Sequence, residues 1–334
     1  MKRSLEGGVD RTANLKALFA ASQTFVMVDL YEVTLLTLGY PLPLTLRWCD
    51  WQHDIPFEGV TWFGGSRLAS TSGESGPRIQ RGQIKHQLGV EVDTLDVTLM
   101  LDGTDLLPPA DGNPATSRFG LAEAVKGGLF EGARVTLRRL FLPAPPSYPL
   151  VAPFDTSCGA VTLFGGQITE SKLQASTVYL GVKSSLERLN IGMPRNVFQA
   201  SCLDTLYDGM CRVSRTGTYG GNAFQHVGEV TVNAGGSLLV FTVGNPAVPH
   251  PANYFQFGTV QFTDGVMAGL RRTIRSQAGG SVELLTPLPR APVIGDGAIL
   301  QAGCDKTKAM CIAKFNNWAR FRGFPEIPSA DNAI

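Results

Sequence analysis

Two pairs of cysteines far apart in sequence, Cys202-x8-Cys211 and Cys304-x6-Cys311, constrain this chain more than any other feature. Thiols spaced in this way close one small domain, through a four-thiolate metal site or through two disulfides. Seven residues of continuous helix would set Cys304 and Cys311 about 10.5 Å apart along the axis. A disulfide spans roughly 7 Å or less between Cα atoms. Cys304 is therefore expected on the Gly303 turn ahead of a helix, with Cys311 reaching back from the second turn. Gly209 stands where a helix from about Gln199 would end, which would fold Cys211 back toward Cys202. Each pair could then offer two sulfurs to a common point, and a nearby helix N-terminus favours thiolates.

Structural zinc sites grip with Cys-x2–4-Cys knuckles, tighter than either pair here. An iron–sulfur cluster is larger and accepts wider loops, so spacing favours a cluster over zinc. The start, Met1-Lys2-Arg3-Ser4, has no apolar core behind it, and the apolar run Phe25–Leu38 is broken by Asp29, Glu32 and Thr34. Neither a signal peptide nor a transmembrane helix is expected. Synthesis in a reducing cytoplasm disfavours standing disulfides, which places them behind cluster and zinc. The bland alternative is four unconnected cysteines packed as small hydrophobes. Cys49 and Cys158 have no partner in sequence and read as core residues.

The rest of the chain reads as mainly β. Charged residues make up only 17% and glycines number 38 of 334, which suits short strands joined by tight turns, or burial in an assembly. The net charge of +1 makes no case for a nucleic-acid or membrane-surface partner. A short amphipathic helix is expected over Val9–Ser22 and a strand over Thr24–Leu36. Val90–Asp93 and Leu95–Leu99 alternate in opposite phase, which predicts a β-bulge near Asp93–Thr94. Further strands are expected at Arg134–Arg138, Ala160–Ile168 and Ala175–Val182, after a brief helix at Ser117–Val125. Five more follow at Gly228–Val232, Ser237–Val243, Gly258–Thr263, Arg271–Ser276 and Ser281–Leu285. Asp305–Arg320 carries the strongest helical pattern.

No catalytic constellation emerges. His53, His86, His226 and His250 are scattered, and no Walker loop, Rossmann fingerprint or Gly-x-Ser-x-Gly elbow is present. Ser157-Cys158-Gly159 has no neighbouring base. Trp48, Trp51 and Trp62 read as barrel core or subunit interface. Phe315 and Trp318 share the helical face of Cys311 and are expected to keep water off the cysteine site.

The terminal segment Gly303-Cys304-Asp305-Lys306, Cys311, Lys314-Phe315-Asn316-Asn317, Phe321-Arg322-Gly323-Phe324-Pro325 resembles the end of tail hub proteins of gene transfer agents and related long-tailed phages. Phe257–Phe262, Asp264-Gly265 and Gly295-Asp296 are similar to the same domain. Asp54–Thr61 and the strand around Glu91–Leu99 resemble the family more loosely. The cysteine domain is also similar to that of the tail tip protein L of phage lambda.

The resemblance implies a structural protein of the virion tail tip, assembled in the host cytoplasm and not an enzyme. It implies a homotrimeric ring joining the tail tube to the fibres or spike. Expected partners are a distal tail protein, a tape measure protein and a central fibre or spike, with viral DNA only in transit. It implies a structural [4Fe–4S] cluster on Cys202, Cys211, Cys304 and Cys311, with zinc as the second choice. The segment Asp305–Met310, between the last two cysteines, is less basic than is usual in the family. The expected architecture is an N-terminal helical arm (1–22), a β-barrel or sandwich hub region (23–192) and a small α+β metal-binding domain (193–334). A stiff linker near 143–150 leaves open whether the hub region divides in two. The rival readings are an iron–sulfur redox enzyme or sensor and a zinc-stabilised binding module.

Overall fold

The computed structural model describes residues 4–6, 8–21, 24–35, 44–65, 76–85, 92–102, 107, 120–144, 155–189, 198–244 and 247–327. The chain forms two compact units, residues 1–190 and 191–334, and is mainly β. His86, the stretch Val90–Glu91, most of the linker near 143–150 and Met193–Asn196 lie outside the described residues.

The first unit begins with β1 (Ser4–Glu6), β2 (Val9–Asp10) and α1 (Thr12–Ala21). The strands β3 (Val26–Leu35) and β4 (Leu44–Cys49) follow, then a small hairpin, β5 (Ile55–Phe57) and β6 (Val60–Trp62). Its turn, Glu58-Gly59, holds both residues at positive φ (55° and 74°). Such a turn matches the twist of the flanking strands. The unit continues with β7 (Arg78–Arg81), β8 (Thr94–Met100), α2 (Leu121–Lys126), β9 (Arg134–Leu142), β10 (Ala160–Gln174) and β11 (Thr177–Ser184).

The main sheet runs β4-β3-β9-β10-β11-β8-β7 and is antiparallel throughout. Its bulges lie in β10, at Thr162/Phe164 against β9 and at Ile168/Glu170 against β11. The bulge expected near Asp93–Thr94 rests partly on Val90 and Glu91, which lie outside the described residues. Between the two bulges sits Gly166, where a Cβ would lie 2.2 Å from the Lys183 carbonyl oxygen. The backbone of Lys183 lies too close to Gly166 for any side chain there.

Apolar residues of β3, β4, β9 and the small hairpin pack into one core: Val28, Leu30, Cys49, Ile55, Phe57, Trp62, Leu140 and Leu142. Trp48 is also buried. Cys158 joins Leu15 and Leu18 of α1 in a second cluster. Both isolated cysteines are thus core residues, and burial pushes the Cys49 thiol up to about 12.

β3 also buries a charge. Asp29 is 4% exposed and sits opposite Arg139 of β9 in register. Arg139 binds both carboxylate oxygens, Nε to Oδ1 at 2.7 Å and Nη2 to Oδ2 at 2.9 Å. Arg81 of β7 donates to Oδ2 as well. Since β7 ends the strand path and β3 is near its start, this pair draws the two ends of the curled sheet together. Burial works against ionisation of Asp29, but the hydrogen bonds and charges of Arg139 and Arg81 outweigh it and hold the carboxyl below its usual range.

The second unit is built on a closed barrel. Its strands are a short hairpin, β12 (Thr218–Tyr219) and β13 (Asn222–Ala223), then β14 (Gln225–Val232), β15 (Val240–Gly244), β16 (Thr259–Phe262), β17 (Arg271–Ala278), β18 (Ser281–Leu284) and β19 (Gly297–Gln301). The barrel order is β14-β15-β18-β17-β16-β19, with β19 bonded to both β16 and β14. Val230, Phe241, Val243, Val260, Phe262, Ile274, Val282 and Leu300 fill it. The sixth strand, Gly-Ala-Ile-Leu-Gln, lacked the β-branched alternation that revealed the other five. Beyond it, Gly303 presses on the 256–258 turn, where a Cβ would lie 2.0 Å from the Gln256 oxygen and 2.1 Å from the Gly258 nitrogen.

Gly303→Ala is expected to cost about 1–3 kcal/mol, the usual penalty of overpacking, read as a lower urea midpoint for the second unit. Asp50 supplies a pH test. Burial, and then the Asp29 charge, raise its carboxyl to about 6 against 3.8 unperturbed, although it accepts the Asp29 N–H at 2.8 Å. A raised acid favours the fold when protonated, so its contribution is full below pH 4 and is lost as pH rises through 6. Asp50→Asn keeps the acceptor and should stabilise the first unit at pH 7 by about 1 kcal/mol, since solvent that reaches this carboxylate screens the rest. The gain should vanish in denaturation curves below pH 4.

Candidate metal centre

The structure brings the four expected cysteines of the second unit around one small cavity. Two come from irregular chain. The expected helix from Gln199 to Gly209 is replaced by turns built on Asp208, whose carboxylate accepts the amides of Thr205 (2.9 Å), Met210 (2.9 Å) and Cys211 (2.6 Å). The amide of Cys211, followed by those of Thr205 and Met210 and the charge of Lys306, holds the Asp208 carboxyl below its usual range. An aspartate that bonds three local amides competes with the helix for those same donors, and here it wins. Tyr207 and Arg212 take positive φ on either side (68° and 56°), which bends Cys211 back toward Cys202.

The other two cysteines frame a helix start. Asp305 Oδ1 accepts the Thr307 amide (2.8 Å) and hydroxyl (2.7 Å), and Thr307 in turn caps the helix by accepting the Met310 amide at 3.2 Å. Cys304 precedes this cap, and Cys311 lies inside α3 (Lys308–Ala313). The helix is far shorter than the expected Asp305–Arg320. Asn316 turns left-handed (φ 47°), and the Asn317 side chain donates to the Cys211 carbonyl at 2.7 Å. A tertiary bond thus stops what local propensity would have continued.

Amide hydrogens point at the sulfurs. Cys202 Sγ accepts from Arg322 N at 3.5 Å, Cys304 Sγ from Lys306 N at 3.3 Å and Cys211 Sγ from Asn317 Nδ2 at 3.6 Å. Such donors stabilise thiolates and tune metal–sulfur centres. Burial raises the Cys304 thiol, and it pushes Cys311 up to about 11 with help from the charges of Cys304, Cys202 and Cys211. Four bare thiolates therefore repel one another here, and positive charge inside the cavity would relieve them. Among the described residues, no three His, Cys, Asp or Glu side chains stand close enough to hold a single metal ion. All six cysteines of the chain are free thiols.

Phe315 is buried, lines the cavity and packs on Phe224 at 5.1 Å. Trp318 does not cover the site as expected, because α3 ends before it. It is 46% exposed, stacks on Phe321 at 5.3 Å and lies beneath Lys308 Nζ at 4.6 Å. Phe321 takes its place in the lining, together with Asp204, Leu206, Val213 and Asn317. None of these was singled out as functional from the sequence. The Asn316-Asn317 and Phe321–Pro325 stretches carried the only signal, as part of the terminal motif. No described histidine lines the cavity; His226 and His250 sit 6.3 Å apart, and His250 stacks on Tyr254 at 4.6 Å. No described helix is long and apolar enough to cross a membrane.

Residues 12–214 match the family described as "Baseplate hub protein, N-terminal attachment domain". Residues 253–331 match a second, "Phage conserved hypothetical protein BR0599". A chain from the solved virion of a native gene transfer agent particle has a similar structure, with a TM-score of 0.67 and 21% sequence identity over 95% of this chain and 93% of that one. At that identity the likeness speaks of the fold. No curated protein matches the chain.

Asn317 ties the two cysteine segments together, so Asn317→Ala should destabilise the second unit by about 1–2 kcal/mol. Thiol-labelling rates measured across a denaturant series should show Cys211 exposed at lower denaturant than in the unaltered chain.

Proposed function

The chain belongs to the family of phage baseplate hub proteins, whose attachment domain spans residues 12–214, and from that premise we propose the part it plays in the tail. It is a structural component of a phage-type tail baseplate and not an enzyme. In our reading, three copies form a ring that joins the tail tube to the fibres or spike, alongside a distal tail protein and a tape measure protein, with DNA passing through.

Several features support an assembled state. Only 17% of residues are charged. At one barrel end, where β14 and β18 finish and β15 and β19 begin, Leu285, Val293 and Ile294 are 62%, 63% and 68% exposed. Apolar side chains gathered in this way suit a covered surface better than an open one.

The second part of the reading is that Cys202, Cys211, Cys304 and Cys311 hold a structural [4Fe–4S] cluster. One observation carries it: four thiols line a single cavity, and three of them already accept N–H bonds. A polynuclear group suits the wide Cys-x8-Cys and Cys-x6-Cys loops better than zinc does. Bound there, it would bridge residues 202 to 311 and hold the irregular 198–215 segment against the barrel. A metal that binds only the folded site adds its binding free energy to stability.

The test is iron, acid-labile sulfide and zinc measured on the full chain purified without air. About four iron and four sulfide per chain are expected, both lost in Cys304→Ala together with cooperative unfolding of the second unit. Zinc without sulfide would discard the cluster and keep the baseplate role. A native mass of one chain at micromolar concentration would count against the ring.

A further inference from the structure

Beyond its cysteines, the cavity holds a buried carboxylate among basic neighbours. Asp204 lines it, with its side chain only 7% exposed. Its Oδ1 lies 3.8 Å from Arg322 Nη1, a distant pairing, while Oδ2 is buried with no hydrogen-bond partner among the described residues. Burying a carboxylate oxygen in this way costs free energy unless positive charge lies close by. Asp204 is also wired into the thiol surroundings. Its carbonyl accepts from Lys306 Nζ, and the Lys306 amide donates to Cys304 Sγ. Arg322, which pairs with the carboxylate, donates its own amide to Cys202 Sγ.

We propose that Asp204 is a fixed negative charge that sets the oxidation level of the group held by the four cysteines. This rests on the cluster reading above and deepens it. Taking up one electron adds negative charge beside a carboxylate in a poorly solvated cavity, which lowers the reduction potential. Asp204 thereby keeps the centre oxidised under cellular conditions and leaves it a structural fastener instead of an electron carrier. Arg322 acts in the opposite sense, its guanidinium offsetting part of that charge. Asp204 is a positioning residue in this scheme, since it acts on the centre through charge and through the donors it anchors.

The experiment is a potentiometric titration of the iron-loaded full chain with dithionite as the one-electron donor, followed by electron paramagnetic resonance. Iron and sulfide are counted in every sample. Asp204→Asn, nearly the same in shape, should raise the midpoint so that the ratio of reduced to oxidised centre rises about tenfold at fixed potential, or ~59 mV for one electron. Arg322→Gln keeps its backbone amide on Cys202 and should shift the midpoint the other way. Asp204→Glu should restore most of the wild-type value. Full iron content with unchanged midpoints in Asp204→Asn and Arg322→Gln would overturn the proposal. So would loss of iron in Asp204→Asn with no shift in Arg322→Gln, which would make Asp204 a packing residue. A wild-type chain without iron and sulfide would instead overturn the cluster reading on which this depends.

Discussion

Closure of the second barrel by β19 is the constraint on which the cysteine site depends. This strand bonds to β14 on one side and β16 on the other, so Gln301 stands in register with both Gln225 and Thr259. The chain then leaves the barrel at Gly303 in a direction set by backbone-to-backbone contact with the 256–258 turn. Only from there can Cys304 and Cys311 reach the cavity. The same strand end anchors the opposite wall, since Gln301 Oε1 accepts from Arg215 Nη1 at 3.0 Å and the Ala302 carbonyl accepts the Tyr207 hydroxyl at 2.8 Å. A segment with no regular structure is thereby held as firmly as a strand would be.

The cavity that results is a problem in electrostatics before it is one of coordination. Thiols raised by burial and by each other, a carboxylate with one orphaned oxygen and several directed N–H groups share a small space. The charges nearby are mostly basic: Lys306 and Arg320 line the cavity, and Arg322 pairs with Asp204. Lys314 is driven down to about 8 by burial, against the pull of Cys304 and Asp305, and donates to the Gly303 carbonyl at 2.9 Å. These basic groups favour thiolates, while burial opposes them.

The first unit solves a different problem, the joining of sheet ends that the strand ladder leaves apart. Arg81 and Arg139 meet on Asp29, and charge-assisted hydrogen bonds do at that seam what a ladder does elsewhere. Asp29 looked like an interruption of an apolar run in the sequence. It interrupts nothing, because β3 is covered on both faces and its second face is polar where the arginines arrive.

What the sequence determined by itself was local or compositional. Strand alternation, the Trp48 and Trp62 core and the placing of Cys304 before a helix all follow from short-range periodicity and turn chemistry. The terminal motif led to the family without any structure. Tertiary structure alone decided where the elements stop and what they meet. The turns that replace a helix over 199–209 are local to Asp208, whereas the Asn317 bond to Cys211 cut one helix short, and β19 closed a barrel that five strands left open. Asp204, Phe321 and Arg322 joined the site for the same reason. The Asn317–Cys211 and Arg322–Cys202 contacts join residues 106 and 120 positions apart, and the loop-closure entropy of such contacts is repaid only when the unit folds.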